Sequence, residues 1–340
     1  MGRRDKSYAI DLHQQAYNKL TGMQAFGESK KDAMAEGTDR DKIFSFSTYQ
    51  TYWKHTKYFL AYVKEHYPNC TTLKAAKQYI GEWLQSRVDA GLSAWTVQTE
   101  AKALGKLYGI KPGDRDYVNP PKRIRAEIKR SRIDTVRDKH FSKTNNEDLI
   151  KFAKGTGLRR SELEQIRGKH LMTGETVQSE IKRLEALRES SWTKADRQYA
   201  AALKDAAVFN SGYYVLVESG KGGRMRISPI VGPNIDQIVG RFRDTQREEK
   251  VWKYVSSNAD IHSYRSDYAV QIYKASAREI KDIPFDKVNS GTGRKYQSEV
   301  YTCRKDESKK KLDKRAMLMC SKALGHNRIE IVANNYIRGL

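Results

Sequence analysis

Five short stretches of this chain hold side chains suited to attack at phosphorus. They are Thr156-Gly-Leu-Arg159-Arg-Ser-Glu-Leu163, Gly220-Lys221-Gly222, His262-Ser-Tyr-Arg265, Leu324-Gly-His326 and Tyr336, ten residues after His326. Breaking a phosphodiester with a side-chain oxygen needs a nucleophile, an acceptor for its proton, a proton donor for the departing sugar oxygen, and positive donors on the phosphate oxygens. A phenol ionises near pH 10 in water, so a tyrosine nucleophile needs help from its neighbours. The guanidinium fork matches paired phosphate oxygens and stays charged, which makes Arg159 and Arg265 the candidate clamp. His262 and His326 can each hydrogen-bond a phosphate or accept the tyrosine proton. Lys221 lies in a glycine-flanked turn that can bring its ammonium to the leaving 5′ oxygen. The cations are protein side chains, and no carboxylate cluster has metal-binding spacing, so no metal or other cofactor is expected.

Each stretch alone has a bland explanation. A Thr-Gly-Leu-Arg can start a helix with a surface arginine, and Gly-Lys-Gly can be a plain hairpin turn. An H-x-x-R is commonly two surface residues, and Leu-Gly-His fits a helix end with a satisfied histidine. The chain also has twenty tyrosines. Five such stretches in this order, across about 180 residues, are specific together. The sequence resembles the tyrosine recombinases, or phage integrase family, and integrases of phages and mobile elements in particular. The stretches are similar to its first arginine box, hairpin lysine, H-x-x-R box, L-G-H box and nucleophilic tyrosine. Arg159 rather than Arg160 takes the arginine position, because it follows Leu158 directly. The resemblance further implies His262 as the better base candidate, His326 as a phosphate donor and Glu162 as a buried acid orienting the box.

The bulk properties agree with a polyanionic partner. Sixty-four Lys and Arg against forty-one Asp and Glu leave a net charge of +23 in 340 residues, with a pI near 9.7. No apolar run approaches a membrane span, and the charged N-terminus does not read as a signal peptide. Three scattered cysteines, Cys70, Cys303 and Cys320, form no disulfide framework and suggest reduced thiols in a cytoplasmic protein.

The expected fold is α+β. An N-terminal helical segment, 1–43, includes short helices at Tyr8–Leu20 and Glu28–Glu36. An all-helical domain follows at 44–130, which by its likeness in layout to the family's is expected to be the SAM-like core-binding domain. Its helices start at Ser47, capped through Gln50, at Leu73, running to Ala90, and at Ser93. A basic linker, 131–143, leads to the catalytic domain, 144–340, which is mainly helical with a small antiparallel β-sheet, as in the tyrosine recombinase fold. Helices are expected at 146–154, 159–167 and 174–206, the last with Val177, Ile181, Leu184 and Leu187 on one face. A hairpin follows at 213–230, then helices around 233–247, 262–280 and 316–324, and a last helix holding Tyr336. Lys122, Arg123, Arg125, Lys129, Arg130 and Arg132 place six cations in eleven positions and are expected to track a phosphate backbone.

The resemblance implies site-specific DNA recombination, by integrase- or excisionase-type strand transfer through a 3′-phosphotyrosyl intermediate, without metal or ATP. It implies double-stranded DNA as partner, a homotetrameric synapse on two sites, room for an accessory DNA-bending or directionality protein, and a nucleoid-associated prokaryotic or phage setting. A type IB topoisomerase-like nicking-closing enzyme and a non-catalytic DNA-binding relative are the alternatives. The chain departs from the family pattern in three ways. One extra residue separates His326 from Tyr336, insertions fall at 174–208 and 281–315, and only four residues follow Tyr336.

Overall fold

Apolar residues at helical spacing build the first of two units. The computed structural model describes residues 10–114, 117–124, 140–186, 192–283, 299–303, 309–326, 328–337 and 340, and its two units divide after residue 128. The first contains α1 (Leu12–Gly22), α2 (Lys30–Ala35), α3 (Phe46–His66), α4 (Leu73–Ala76), α5 (Ile80–Asp89) and α6 (Ala94–Tyr108). On α3, Tyr49, Thr56, Phe59, Leu60 and Val63 form one buried stripe, and α6 answers with Val97, Ala101, Leu104 and Leu107. Leu12, Ala16, Leu20 and Ile43 enter the same core, so the described residues before position 44 are packed into this unit.

Two details differ from the sequence reading. Ser45, not Ser47, caps α3, because its Oγ accepts the Thr48 N–H at 3.3 Å. The stretch 73–90 is broken by a 3₁₀ turn at Lys77–Tyr79, so its apolar face is divided between Ala76 of α4 and Ile80, Trp83 and Leu84 of α5. Ser93 caps α6 as expected, and Gly109 ends it with a φ of +69°.

The second unit holds α7 (Glu147–Thr156), the single-turn α8 (Arg160–Leu163), β1 (Leu171–Thr173), α9 (Gly174–Glu185) and α10 (Lys194–Ala206). Next come β2 (Tyr213–Val217), β3 (Arg226–Pro229), α11 (Ile235–Arg243), α12 (Ile261–Ser276), β4 (Val300–Thr302), β5 (Lys311–Asp313), α13 (Lys314–Leu324) and α14 (Ile329–Asn335). One antiparallel sheet has the order β1-β2-β3, with Val215 opposite Leu171 and Ser228; β4 and β5 pair separately. The period of two on β2 sorts its neighbours. Val215 and Val217 face the core of Phe152, Leu163, Ile238 and Phe242, whereas Tyr214 faces Val177, Leu184 and Leu203 of α9 and α10. A third core joins Tyr268 and Ile272 of α12 to Met317 and Leu324 of α13 and to Val332 and Tyr336.

The sequence reading missed β1, β4 and β5. Each has only three residues, too short for an alternating pattern to register. It overextended 159–167, where the helix stops at Leu163. Leu187, Tyr8 and most of 281–315 lie outside the described residues.

Two glycine stops set the backbone of the candidate site. Gly157 ends α7 at a φ of +60°, and Gly325 ends α13 at +69°, a region where only glycine is unstrained. At Gly157 a Cβ would also lie 2.2 Å from the Tyr268 ring. Gly157→Ala should therefore lower the stability of the second unit by more than about 1 kcal/mol in a denaturant titration. Gly22→Ala, where nothing lies within 4 Å, is the near-neutral comparison.

Candidate active site

Glu162 organises the charged residues of the second unit. It sits at the third position of α8 and is 3% exposed. Its Oε2 accepts the Arg159 N–H at 2.7 Å, and its Oε1 accepts from Arg159 Nη1 at 2.7 Å. Arg226 on β3 donates to both oxygens, at 2.6 and 2.7 Å. Burial acts to raise this carboxyl, but the Arg226 hydrogen bonds and charge, with help from Arg265 and the Arg159 backbone, hold it far below the usual carboxylate range.

Arg265 lies one helical turn after His262 on α12 and is 2% exposed. Its Nη1 donates to the Gly157 carbonyl and its Nη2 to the Leu324 carbonyl, while Arg159 Nη2 reaches the same Leu324 oxygen at 3.3 Å. These partners are dipoles rather than charges. Three guanidiniums therefore surround one carboxylate, and the cluster keeps net positive charge in a partly dry setting. Burial, then Arg226 and Arg159, pulls the Arg265 guanidinium down to about 10, which leaves it charged at neutral pH. A cleft of about 330 Å³ opens beside it, lined by Arg159, Arg160, Asp260, His262 and Arg265.

Tyr336 meets this cluster. It caps the C-terminus of α14 rather than lying within the helix, its N–H bonded to the Val332 carbonyl at 3.0 Å. The phenol oxygen accepts from Arg265 Nε at 3.4 Å and lies 3.2 Å from His326 Nε2. The extra residue between His326 and Tyr336 is thus compatible with direct contact. His326 follows Gly325, with its backbone N–H bonded to the Ser321 carbonyl at 2.8 Å. Burial first, then the charges of Arg265, Arg159 and Arg226, pulls its imidazole down to about 4, so it is neutral at pH 7. His262 is exposed near the start of α12, its ring centroid 5.2 Å from that of Tyr336.

Arg159, Glu162, Arg265, His326, Tyr336 and, at ring distance, His262 therefore converge. Lys221 is exposed at the hairpin tip, and among the described residues no hydrogen bond or ion pair joins it to the cluster, although the adjacent Gly220 lies against Glu162 and Arg226. Of the proposed DNA-tracking residues, Lys122 is exposed, and Arg123 lies 5.5 Å from the Trp95 ring centroid. Arg125, Lys129, Arg130 and Arg132 lie outside the described residues.

One residue of the site escaped the sequence reading. Arg226 lay inside a stretch read only as strand; the signal was an arginine in a strand whose other residues are all apolar or small. Its Nε also donates to Ser228 Oγ at 2.9 Å, and that hydroxyl donates to the Ala323 carbonyl at 2.8 Å, tying β3 to the end of α13. Arg160, the rival for Arg159, points elsewhere. It binds the carbonyls of Val255, Ser256, Ser257 and Ala259, fastening the loop that enters α12.

No protein-family model matches the chain, and no curated protein matches it. Among solved structures it is similar to the XerA recombinase at 12% identity, with a TM-score of 0.26 over 94% of this chain and 93% of that one. It is also similar to the Tn1549 transposon integrase in complex with circular intermediate DNA, in two structures. One gives 12% identity and a TM-score of 0.35, the other 13% and 0.32, each over 97% of this chain and 96% of that one. Superpositions this loose carry no weight alone, and the side-chain cluster stands on its own geometry.

Replacing Glu162 tests that geometry. Its depressed carboxyl means the folded state binds fewer protons than the unfolded chain. The stability it contributes is full above the unfolded carboxylate range near 4.5 and fades as pH falls through that range toward the lower folded value. Glu162→Gln should cost on the order of 3–5 kcal/mol near neutrality. It should also flatten the loss of stability toward about pH 3 in denaturant titrations.

Proposed function

We propose that this chain is a site-specific DNA recombinase of the tyrosine type, with Tyr336 as nucleophile. The observation that carries the reading is the phenol oxygen held between Arg265 Nε at 3.4 Å and His326 Nε2 at 3.2 Å, beside a buried cluster with excess positive charge. Such a cluster is matched to a phosphate, whose non-bridging oxygens would take the free N–H groups of Arg159 and Arg265.

In the proposed reaction, Tyr336 Oη attacks phosphorus and the bond from phosphorus to the 5′ oxygen breaks. This leaves a 3′-phosphotyrosyl link and a free 5′ hydroxyl. Neutral His326 is placed to accept the phenol proton, and Arg265 to stabilise charge developing on the phenol oxygen. His262, exposed at the cleft, is placed to donate to the phosphate. This exchanges the two histidine roles that the family resemblance implies. Lys221, at the tip of the hairpin whose Gly220 lies against Glu162, protonates the leaving oxygen. A 5′ hydroxyl from a partner duplex then attacks the link, so bond energy is conserved and no ATP is needed. Recombination between two sites would engage a tetramer of this chain on double-stranded DNA. The 281–315 insertion and the first helices are the candidate segments for coupling subunits.

Nicked suicide duplexes, drawn from the ends of the element that carries this gene, test the proposal. The intact protein should form a covalent adduct on denaturing gels, Tyr336→Phe none, and His326→Ala at least about 100-fold less in single-turnover cleavage. Transfer to a second duplex supports recombination, whereas rejoining of the same strand alone would mark a topoisomerase-like enzyme. Binding without any adduct would leave a non-catalytic DNA-binding protein.

A further inference from the structure

The helical insertion between β1 and β2 lies against the hairpin that carries Lys221. Helix α10 packs on β3, and one face of it, with Lys194, Gln198 and Asp205 at helical spacing, closes a cleft of about 380 Å³ against Gly222, Gly223 and Arg224. Arg197 stands on the same rim. The glycine wall carries no side chains to fill the space.

The charges of this cleft are unevenly matched. Asp205 already serves two cations, Arg224 Nη2 at 3.2 Å and Lys322 Nζ at 3.4 Å, and so ties α10 both to the hairpin and to α13. Asp196 is occupied in capping α10, accepting from the Thr193 N–H at 2.9 Å and the Thr193 hydroxyl at 2.7 Å. Lys194 and Arg197 are exposed, and among the described residues neither has an acidic partner. Lys221 is adjacent in sequence to the glycine wall. The α10 wall therefore presents two cations without acidic partners among the described residues, and the carboxylate of Asp205 is already paired with Arg224 and Lys322.

We propose that this cleft binds a backbone phosphate of duplex DNA, making α10 a phosphate clamp beside the hairpin that carries Lys221. The occupant follows from charge complementarity and from continuity with the proposed catalytic hairpin, and the inference rests on the DNA-recombinase reading given above. A lysine, an arginine and glycine backbone N–H groups suit phosphate oxygens, and a contact to the backbone adds affinity without sequence preference. The insertion thereby acquires a role. Its helix α10 holds the DNA near the lysine tip, and Asp205 fastens α10 to the two elements that frame the cluster.

The test is binding of the full chain to a short random-sequence duplex, followed by fluorescence anisotropy across a salt series. Each lost phosphate contact should make the slope of log affinity against log salt shallower by about 0.9. Lys194→Ala/Arg197→Ala should flatten it by about 1–2 in total, equally on unrelated sequences. Both sites are exposed and helical, and alanine favours the helix, so folding should hold. Lys182→Ala/Lys204→Ala removes the same charge from exposed positions outside the cleft and should change the slope by less than half as much. An unchanged slope in the cleft variant, or an equal change in both variants, overturns the clamp. Adduct formation by the unaltered chain is scored in parallel. If the adduct forms and the slope does not respond, the clamp fails alone. If the slope responds and no adduct forms, the catalytic reading fails alone. An unaltered chain that does not bind the duplex overturns both.

Discussion

One buried carboxylate shared by two guanidiniums holds the second unit's chemistry in place. Glu162 joins Arg159 on the turn after α7 to Arg226 on β3, two segments far apart in sequence. Arg226 runs beneath Gly325, and Ser228 reaches the Ala323 carbonyl, so the same pairing fixes the end of α13 and the start of the His326 segment. A lone buried carboxylate would be strongly disfavoured; two paired guanidiniums make it tenable. The pairing also leaves positive charge in excess, because Arg265 is satisfied mainly by the carbonyls of Gly157 and Leu324. A site with that imbalance is prepared for an anion before any substrate arrives.

The glycines that end α7 and α13 are the backbone counterpart of this constraint. Each lets a helix stop sharply, and each presents a carbonyl, at Gly157 or just before Gly325, to Arg265. Tyr336 is delivered by a third helix end. The chain leaves α14 at Tyr336, which packs its ring in the core with Val332 and Met317 while its oxygen meets Arg265 and His326. Three helix ends therefore meet Arg265 of α12 in the cluster.

Much of this cluster was legible in the sequence because it is built from residue types that rarely coincide. Arg159, Glu162, Arg265, His326 and Tyr336 were identifiable from short stretches in order. The helical course of both units followed from apolar spacing and from caps such as Ser93. What was not legible depends on tertiary pairing. Arg226 is an ordinary strand arginine until β3 is placed against α8, and Arg160 resembles a second clamp residue until its carbonyl partners are known. The three-residue strands leave no period to detect. Only the folded chain shows Nε2 of His326 at the phenol oxygen and the His262 ring at 5.2 Å from the Tyr336 ring. Lys221, singled out by its turn, stands exposed beside Gly220, which lies against Glu162.

The most direct measurement of the central claim is the chemical location of the DNA link. The covalent complex formed on a suicide duplex is digested with nuclease and protease, and the nucleotide-bearing peptide is sequenced by mass spectrometry. The cluster geometry requires the phosphate on Tyr336 Oη. A phosphate on any other residue, or a covalent complex that persists in Tyr336→Phe, would contradict it.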